Sequence, residues 1–346
     1  MSHQRVTASE VAELAGVSQP TVSRVFTPGT KVSKDKESRV REAAAQLGYR
    51  PNTLARSLNT GRSYTIGVVL AYLNNPFYPT ALQKFSEQLS AHGYHVMVFF
   101  ATNLVEEVDG VIEDLLAHQV DGIVLASVSL SNQLTDRLHE IGIPFVLFNR
   151  GQEDERLPLV TAANTEGGRI AARFLAEGGH TRIAHISGWQ RSLNGRQRQF
   201  GFVEGLAEYN LAPWRCVDSH FRREMAIEAT RELFESSENP DAIFVGNDHM
   251  AFAVLETLQC DIGARVPEDV SVVGFDDVEM AAWKMYDLST LRQPVNRMVK
   301  ATIAMMLDMI ERRATEKHIE IPAELIIRRS ARVPKHWALS THDESS

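Results

Sequence analysis

Apolar positions along this chain follow two different rhythms. Over the first fifty residues they recur at three- and four-residue spacing, the period of a helix buried along one face. Ala8, Val11, Ala12, Leu14 and Ala15 form one such stripe. Thr7 precedes it, and Glu10 three residues on completes a capping box. Gly16-Val17-Ser18 breaks the pattern. A second helix opens at Ser18, with Pro20 in its first turn, where a missing N–H costs little. It turns Val22 and Val25 inward and ends at Pro28-Gly29. A third runs from about Ser33 to Leu47, with Val40, Ala43, Ala44 and Leu47 on one face and Gly48 as its stop. Pro51-Asn52 then leads into a short segment ending at Leu58, closed by Asn59-Thr60-Gly61.

From Tyr64 onward, apolar runs of strand length alternate with helical patterns. The runs predict strands at 64–71, 95–101, 122–127 and 145–149, then at 183–187, 242–246 and 271–275. Helical patterns lie near 78–92, 105–118, 131–141, 165–177, 197–209, 223–236, 248–259 and 295–313. Continuous apolar strands separated by helices predict parallel sheets covered on both faces. The expected fold is α/β: an all-α head, then two similar α/β subdomains split near residues 162 and 292. The expected boundaries are 1–50 for the head, 51–62 for a linker, 63–334 for the body and 335–346 for a polar tail.

Composition narrows the class. The chain has 346 residues, 44% hydrophobic and 23% charged, which excludes disorder, collagen and coiled coil as the main architecture. No run of 18 apolar residues is present, so no spanning helix is expected. The first residues lack a basic segment followed by an apolar one, so no secretory signal is expected and the cytoplasm is the expected compartment. Cys216 and Cys260 are the only cysteines. They exclude a disulfide framework or a four-cysteine zinc site, and are expected to be small buried residues. The net charge of −8 is uneven: residues 1–62 carry ten Lys and Arg against five Asp and Glu. A basic head on an acidic body fits either a nucleic-acid contact confined to the head or a solvated basic surface.

Helix, glycine turn and second helix make a helix-turn-helix pattern, whose second helix can enter the major groove. Its exposed positions would be Ser18, Gln19, Pro20, Thr21, Ser23 and Arg24. Glutamine can read adenine through two hydrogen bonds and arginine can read guanine, while serine and threonine suit phosphates. The full string VTASEVAELAGVSQPTVSRVF…KVSKDKESRVREAAAQLGYRPNTLARSL is more specific. It resembles the DNA-binding headpiece of the lactose repressor/galactose repressor family of bacterial transcription regulators, and the similarity continues to about residue 333.

The resemblance implies roles. Gln19, Pro20, Thr21 and Arg24 would face bases, although Pro20 offers no donor and could only meet a thymine methyl or leave its base unread. Thr7, Ser18, Ser23, Lys31, Val32 and Ser33 would touch the DNA backbone. Residues 52–58 match the family's hinge helix, so Asn52, Ala55 and Arg56 would join the DNA interface. Leu58 would wedge into the minor groove at the operator centre. The expected DNA is a palindromic double-stranded operator bound by a homodimer. The stripe Phe77, Tyr78, Leu82 and Phe85 is a candidate dimer face or simply core. The tail after Pro334 has no heptads and predicts no tetramer.

Two α/β lobes in sequence leave a cleft beyond the carboxyl ends of their strands, where ligands bind. Residues following those strands include Tyr72, Asn74, Ser127, Ser129, Arg150, Trp189 and Ser192. Phe77, Asn149, Asn194, Arg198, Phe221, Asn247 and Asp276 are the candidate effector contacts, and the resemblance implies such a role for most of them. Amide, carboxylate and guanidinium groups beside aromatic rings suit a carbohydrate-like ligand. Asp248 and Asp277 fit loop orientation better. Arg191, Arg196 and Arg198 suit either an acidic sugar or a solvated loop. No phosphate-binding, dinucleotide or nucleophile-elbow motif is present. His180 and His185 have poor metal-ligand spacing, and adjacent Asp276 and Asp277 point apart. The chain is therefore expected to be a transcriptional repressor with no metal, no cofactor and no catalysis. A transport receptor and a sugar-processing enzyme are the alternatives.

Overall fold

The computed structural model describes residues 6–26, 30–49, 62–101, 105–128, 130–152, 154, 156–235 and 238–337. The head is three helices, α1 (Ala8–Ala15), α2 (Gln19–Val25) and α3 (Lys34–Leu47). Thr7 caps α1 with the expected reciprocal pairing to Glu10. Gly16 and Gly48 end α1 and α3 in left-handed conformation, which favours glycine. Val11, Val22 and Val40 from the three helices are fully buried and, with four alanines and Val25, form the head's core. Asn52, Ala55, Arg56 and Leu58 lie outside the described residues.

The body has two lobes, each a six-stranded sheet. The first contains β1 (Thr65–Leu70), β2 (His95–Phe100), β3 (Gly122–Ala126), β4 (Phe145–Phe148), β5 (Leu159–Ala162) and β11 (His318–Ile321), in the order β11-β5-β4-β3-β1-β2, all parallel. The second contains β6 (Ile183–Ser187), β7 (Arg215–Asp218), β8 (Ala242–Val245), β9 (Ser271–Asp276), β10 (Ser289–Arg292) and β12 (Glu324–Ile326), in the order β12-β10-β9-β8-β6-β7. Only the β10–β12 pair is antiparallel. Helices α4 (Phe77–Ala91), α5 (Val105–Ala117) and α6 (Asn132–Ile141) belong to the first lobe, and α7 (Asn164–Glu177), α8 (Leu193–Ala207), α9 (Arg223–Leu233) and α10 (Asp248–Glu256) to the second. Helix α11 (Val295–Ile310) follows β10 and packs on α4, β4 and β5 of the first lobe. The chain therefore crosses between lobes three times, after β5, β10 and β11.

Every strand and helix predicted from periodicity is present. The strands that the pattern missed, β5, β7, β10, β11 and β12, are three or four residues long and each carries a polar residue, unlike the equally short but wholly apolar β4 and β8. Helix α8 begins four residues before its apolar pattern because Ser192 caps it, accepting from the Gly195 amide at 3.1 Å.

One open reading is narrowed and one expectation is corrected. Of the α4 stripe, Phe77, Tyr78 and Phe85 are core, buried because α4 covers one face of the first sheet, and Leu82 is half-buried. Phe77 stacks on Phe148 at 6.2 Å and Phe85 meets the same ring edge-on at 5.0 Å. Both cysteines are exposed rather than buried. Cys216 lies on β7, the edge strand of its sheet, and Cys260 lies in the widened π turn (Thr257–Ile262) that ends α10. Among the described residues no helix is long and apolar enough to cross a membrane, and no cluster of His, Cys, Asp and Glu could hold a metal ion.

Candidate functional site

The carboxyl ends of both sheets face one cleft, and the backbone there is unusual. Tyr72 after β1, Ser127 after β3, Asn149 after β4, His220 and Phe221 after β7, and Asp276 and Asp277 at the end of β9 all have positive φ without being glycine. Such conformations cost of order 1 kcal/mol or more each and gather where side chains must be aimed. Here they aim five of these side chains into a cavity of about 490 Å³ bordered by both lobes.

The first lobe contributes Tyr72, Asn74, Asn75, Tyr78, Ser127, Asn149 and Arg150. The second contributes Ser192, Asn194, Arg198, Phe221, Asn247, His249 and Asp276. Six of the seven predicted contacts therefore converge. Phe77 is the exception: it is buried in the first lobe's core and does not border the cavity. It precedes the cavity residue Tyr78 on α4, so its side chain leaves the helix in a different direction.

Arg198 is the best-held side chain. It lies one turn beyond Asn194 on α8, so both face the cavity. Its Nε donates to Asn164 Oδ1 at 2.9 Å and its Nη1 to the Gly246 carbonyl at 2.5 Å. The guanidinium packs 3.6 Å from the Phe275 ring centroid, and Asp276 lies 3.9 Å away. Asp276 accepts from Gln293 Nε2 at 2.6 Å and, across the cleft, from Asn75 Nδ2 at 3.3 Å. Asn194 Nδ2 donates across the cleft to the Asn149 carbonyl at 2.8 Å. Arg150 of the first lobe lies 4.8 Å over the Trp189 ring of the second. Polar contacts thus join the lobes around the cavity. Asn247 Oδ1 caps α10, accepting from the Met250 amide, so its amide nitrogen is the part left to meet a ligand.

Asp248 and Asp277 orient structure, as expected. Asp248 Oδ2 accepts from the Val278 amide at 3.0 Å and Oδ1 from Thr290 at 2.5 Å. Asp277 pairs with Arg292 and Arg328, both at 2.7 Å. His185 is structural: Nδ1 meets the Phe244 carbonyl at 2.9 Å and the ring stacks on Phe244 at 4.7 Å. Residues that sequence reasoning missed include Asn75, Asn164 and Gln293. Asn164 and Gln293 follow β5 and β10, strands that the pattern did not show, and Asn75 lies five residues beyond β1; only tertiary contact reveals their hold on Arg198 and Asp276.

Burial raises the Asp248 carboxyl well above the usual carboxylate range, and the neighbouring Asp276 charge adds to it. Such a group holds a proton that the unfolded chain has released. Its contribution to stability is complete in acid and is lost as pH rises through the folded value. Burial pushes His185 down to about 4, so above pH 7 it is neutral in both states and adds no slope. Chemical denaturation should therefore show the protein losing stability between pH 7 and 9, and Asp248→Asn should flatten that slope by on the order of 1 kcal/mol. Parallel slopes in the two proteins would contradict this.

In the head, Ser18, Gln19, Pro20, Ser23 and Arg24 are exposed and Thr21 is half-exposed, along the side of α2 opposite Val22 and Val25. Ser18 and Thr21 hydroxyls lie 2.9 Å apart. Thr7, Lys31 and Ser33 are exposed at the flanking helix starts, with Val32 half-buried between them. This is a ridge of polar side chains on a compact three-helix support, the form that enters a major groove.

Residues 7–52 match the model of the bacterial regulatory proteins of the lacI family, and residues 172–331 match a periplasmic binding protein-like domain. The HTH-type transcriptional repressor PurR of Aliivibrio salmonicida is 30% identical over 328 residues, spanning 94% of this chain and 98% of that protein. The chain belongs to the LacI family. The PurR repressor of Vibrio cholerae is 32% identical over 325 residues, 91% of this chain and 96% of its own length. Among solved structures, the Lac repressor dimer bound to operator and the anti-inducer ONPF superposes with a TM-score of 0.84 at 25% identity, covering 94% and 99% of the two chains. The transcriptional regulator CelR in complex with cellobiose gives 0.71 at 32% identity, covering 94% and 100%. This LacI-family protein is accordingly a DNA-binding transcriptional repressor and not an enzyme.

Proposed function

We propose that this repressor binds a palindromic operator as a two-fold dimer, and that a sugar or sugar acid held between the lobes sets its operator affinity. The lining of the cavity carries the reading of the ligand. Asn149, Asn194, Arg198, Asn247 and Asp276 converge beside the Phe221 ring. Neighbouring sugar hydroxyls offer paired donors and acceptors that planar amide, carboxylate and guanidinium groups meet two at a time, and C–H faces suit aromatic rings. Asn149 Oδ1 is buried with no hydrogen-bond partner among the described residues, and a ligand hydroxyl would satisfy it. That CelR was solved with cellobiose supports a sugar in this fold.

The test is fluorescence anisotropy on an operator duplex selected by the full-length protein from a random library. A panel of neutral sugars and hexuronates should include at least one that shifts operator affinity tenfold or more, a coupling of about 1.4 kcal/mol. A response to a planar heterocycle such as hypoxanthine, with none to any sugar, overturns the carbohydrate reading.

The DNA side yields its own expected result. One head reads one half-site, so a palindrome requires two chains. Leu58→Ala should weaken specific operator binding by about 1–3 kcal/mol, the scale of one mispaired base, without lowering the melting temperature. Unchanged affinity and unchanged bending in a gel assay would remove the wedge. Sedimentation of the full-length protein and of residues 1–337 should give the same dimer mass, because the tail beyond Trp337 carries no heptads.

A further inference from the structure

The cavity opens outward into a second, wider chamber. Tyr72, Asn74 and Phe221 border both. The outer chamber is open to solvent and spans about 1430 Å³. The rest of its wall is Trp189, Arg191, His220, Arg222, Arg223 and Glu224.

Phe221 forms the sill between the chambers, and the sill is built deliberately. His220 and Phe221 both take left-handed backbone. The Phe221 ring fills the space a side chain at position 188 would need: a Cβ on Gly188 would lie 2.0 Å from it. A strained turn and a glycine thus hold one aromatic ring where a ligand would pass from one chamber to the other.

The outer wall is basic, with three arginines against one glutamate. Arg222 lies 3.8 Å from Glu224, and Arg223 pairs with Glu256. Arg191 is exposed and makes no ion pair among the described residues. A cleft mouth lined by one sign of charge concentrates ligands of the other.

We propose that the outer chamber is a second sugar subsite and that the ligand is an acidic disaccharide. One ring occupies the inner cavity. The second crosses Phe221 and presents its carboxylate to Arg191 near Trp189. This rests on the reading of the inner cavity as a sugar site.

Isothermal titration of the full-length protein tests it with three acidic disaccharides of different stereochemistry (digalacturonate, cellobiouronate and a hyaluronate disaccharide), with galacturonate and glucuronate, and with neutral cellobiose. At least one acidic disaccharide should bind tenfold or more tighter than its component uronate and than cellobiose. Arg191→Ala should remove most of that margin while the monosaccharide dissociation constant stays within twofold. Because Arg191 is exposed, an unchanged melting temperature will verify that the variant folds. The proposal is overturned if no acidic disaccharide binds, if cellobiose or the single uronate binds as tightly, or if Arg191→Ala keeps the full margin. Binding of monosaccharides alone removes the outer subsite and leaves the inner sugar site standing. Hypoxanthine completes the panel, and its binding alone removes both.

Discussion

Arg198→Ala should abolish the response to any ligand of the inner cavity. The guanidinium is buried and spans two acceptors, Asn164 Oδ1 and the Gly246 carbonyl, while lying close to Asp276. Charge-assisted hydrogen bonds contribute about 1.5–3 kcal/mol each. Losing a two-pronged grip on a ligand should therefore raise its dissociation constant by about a hundredfold or more. Arg198→Lys should fail almost as badly. A single ammonium on a flexible stem cannot bond both acceptors and still reach into the cavity in one plane. Titration calorimetry on both variants reads the effect, with operator binding in the absence of ligand as the check on folding. A ligand response of ordinary size in the lysine variant would remove Arg198 from the role given to it.

Gly201→Ala should produce the largest loss of stability. Helices α7 and α8 cross with their backbones nearly touching. A Cβ on Gly201 would lie 1.8 Å from the Thr165 carbonyl oxygen, and one on Gly168 would lie 2.2 Å from that of Arg198. Both clashes are with backbone, which cannot rotate aside as a side chain can. The helices must separate, opening the second lobe's packing around Phe202 and Phe174 and pulling Arg198 from the cavity. Overpacking of this kind costs about 1–3 kcal/mol, and more where backbone is displaced. For a protein of this size the melting temperature should fall by roughly 2–5 °C, and ligand binding should weaken with it. An unchanged melting temperature would mean that the close crossing is not rigid.

The sequence made the architecture legible wherever elements were long or wholly apolar. The run 64–71 carries length, the short run 242–246 is apolar throughout, and the head's stripes carry period and caps. Short strands such as β12 (Glu324–Ile326) have none of these. Their existence depends on a neighbouring edge, β10 in this case, that only the folded sheet supplies. The cleft was legible because strand ends are recognisable, and Asn149, Asn247 and Asp276 follow directly from that rule. Phe77 shows its weakness. Strand-end position says that a residue is near the cleft, not which way its side chain leaves the helix. The left-handed backbone at Tyr72 and Ser127 was invisible, because nothing in their identities announces the conformation, and Asn149, of a type that adopts it more readily, gave only a weak signal. The α4 stripe was ambiguous for a general reason: an apolar face looks the same whether a sheet or a second copy covers it.

The three crossings between lobes set an order of events during synthesis. The head is complete once fifty residues have emerged, and its core draws on nothing later in the chain. The first lobe's sheet begins next, yet one of its two edge strands is β11 (His318–Ile321), and one of its covering helices is α11 (Val295–Ile310). Until the ribosome has added those residues, β5 is an open edge able to pair with any passing strand. The second lobe, born later, can close most of its sheet sooner. At roughly 5–20 residues per second, the nascent first lobe stays unfinished for on the order of ten seconds. A released chain truncated at residue 292 should therefore carry a protease-resistant head, a nearly closed second lobe and a first lobe that is cut readily.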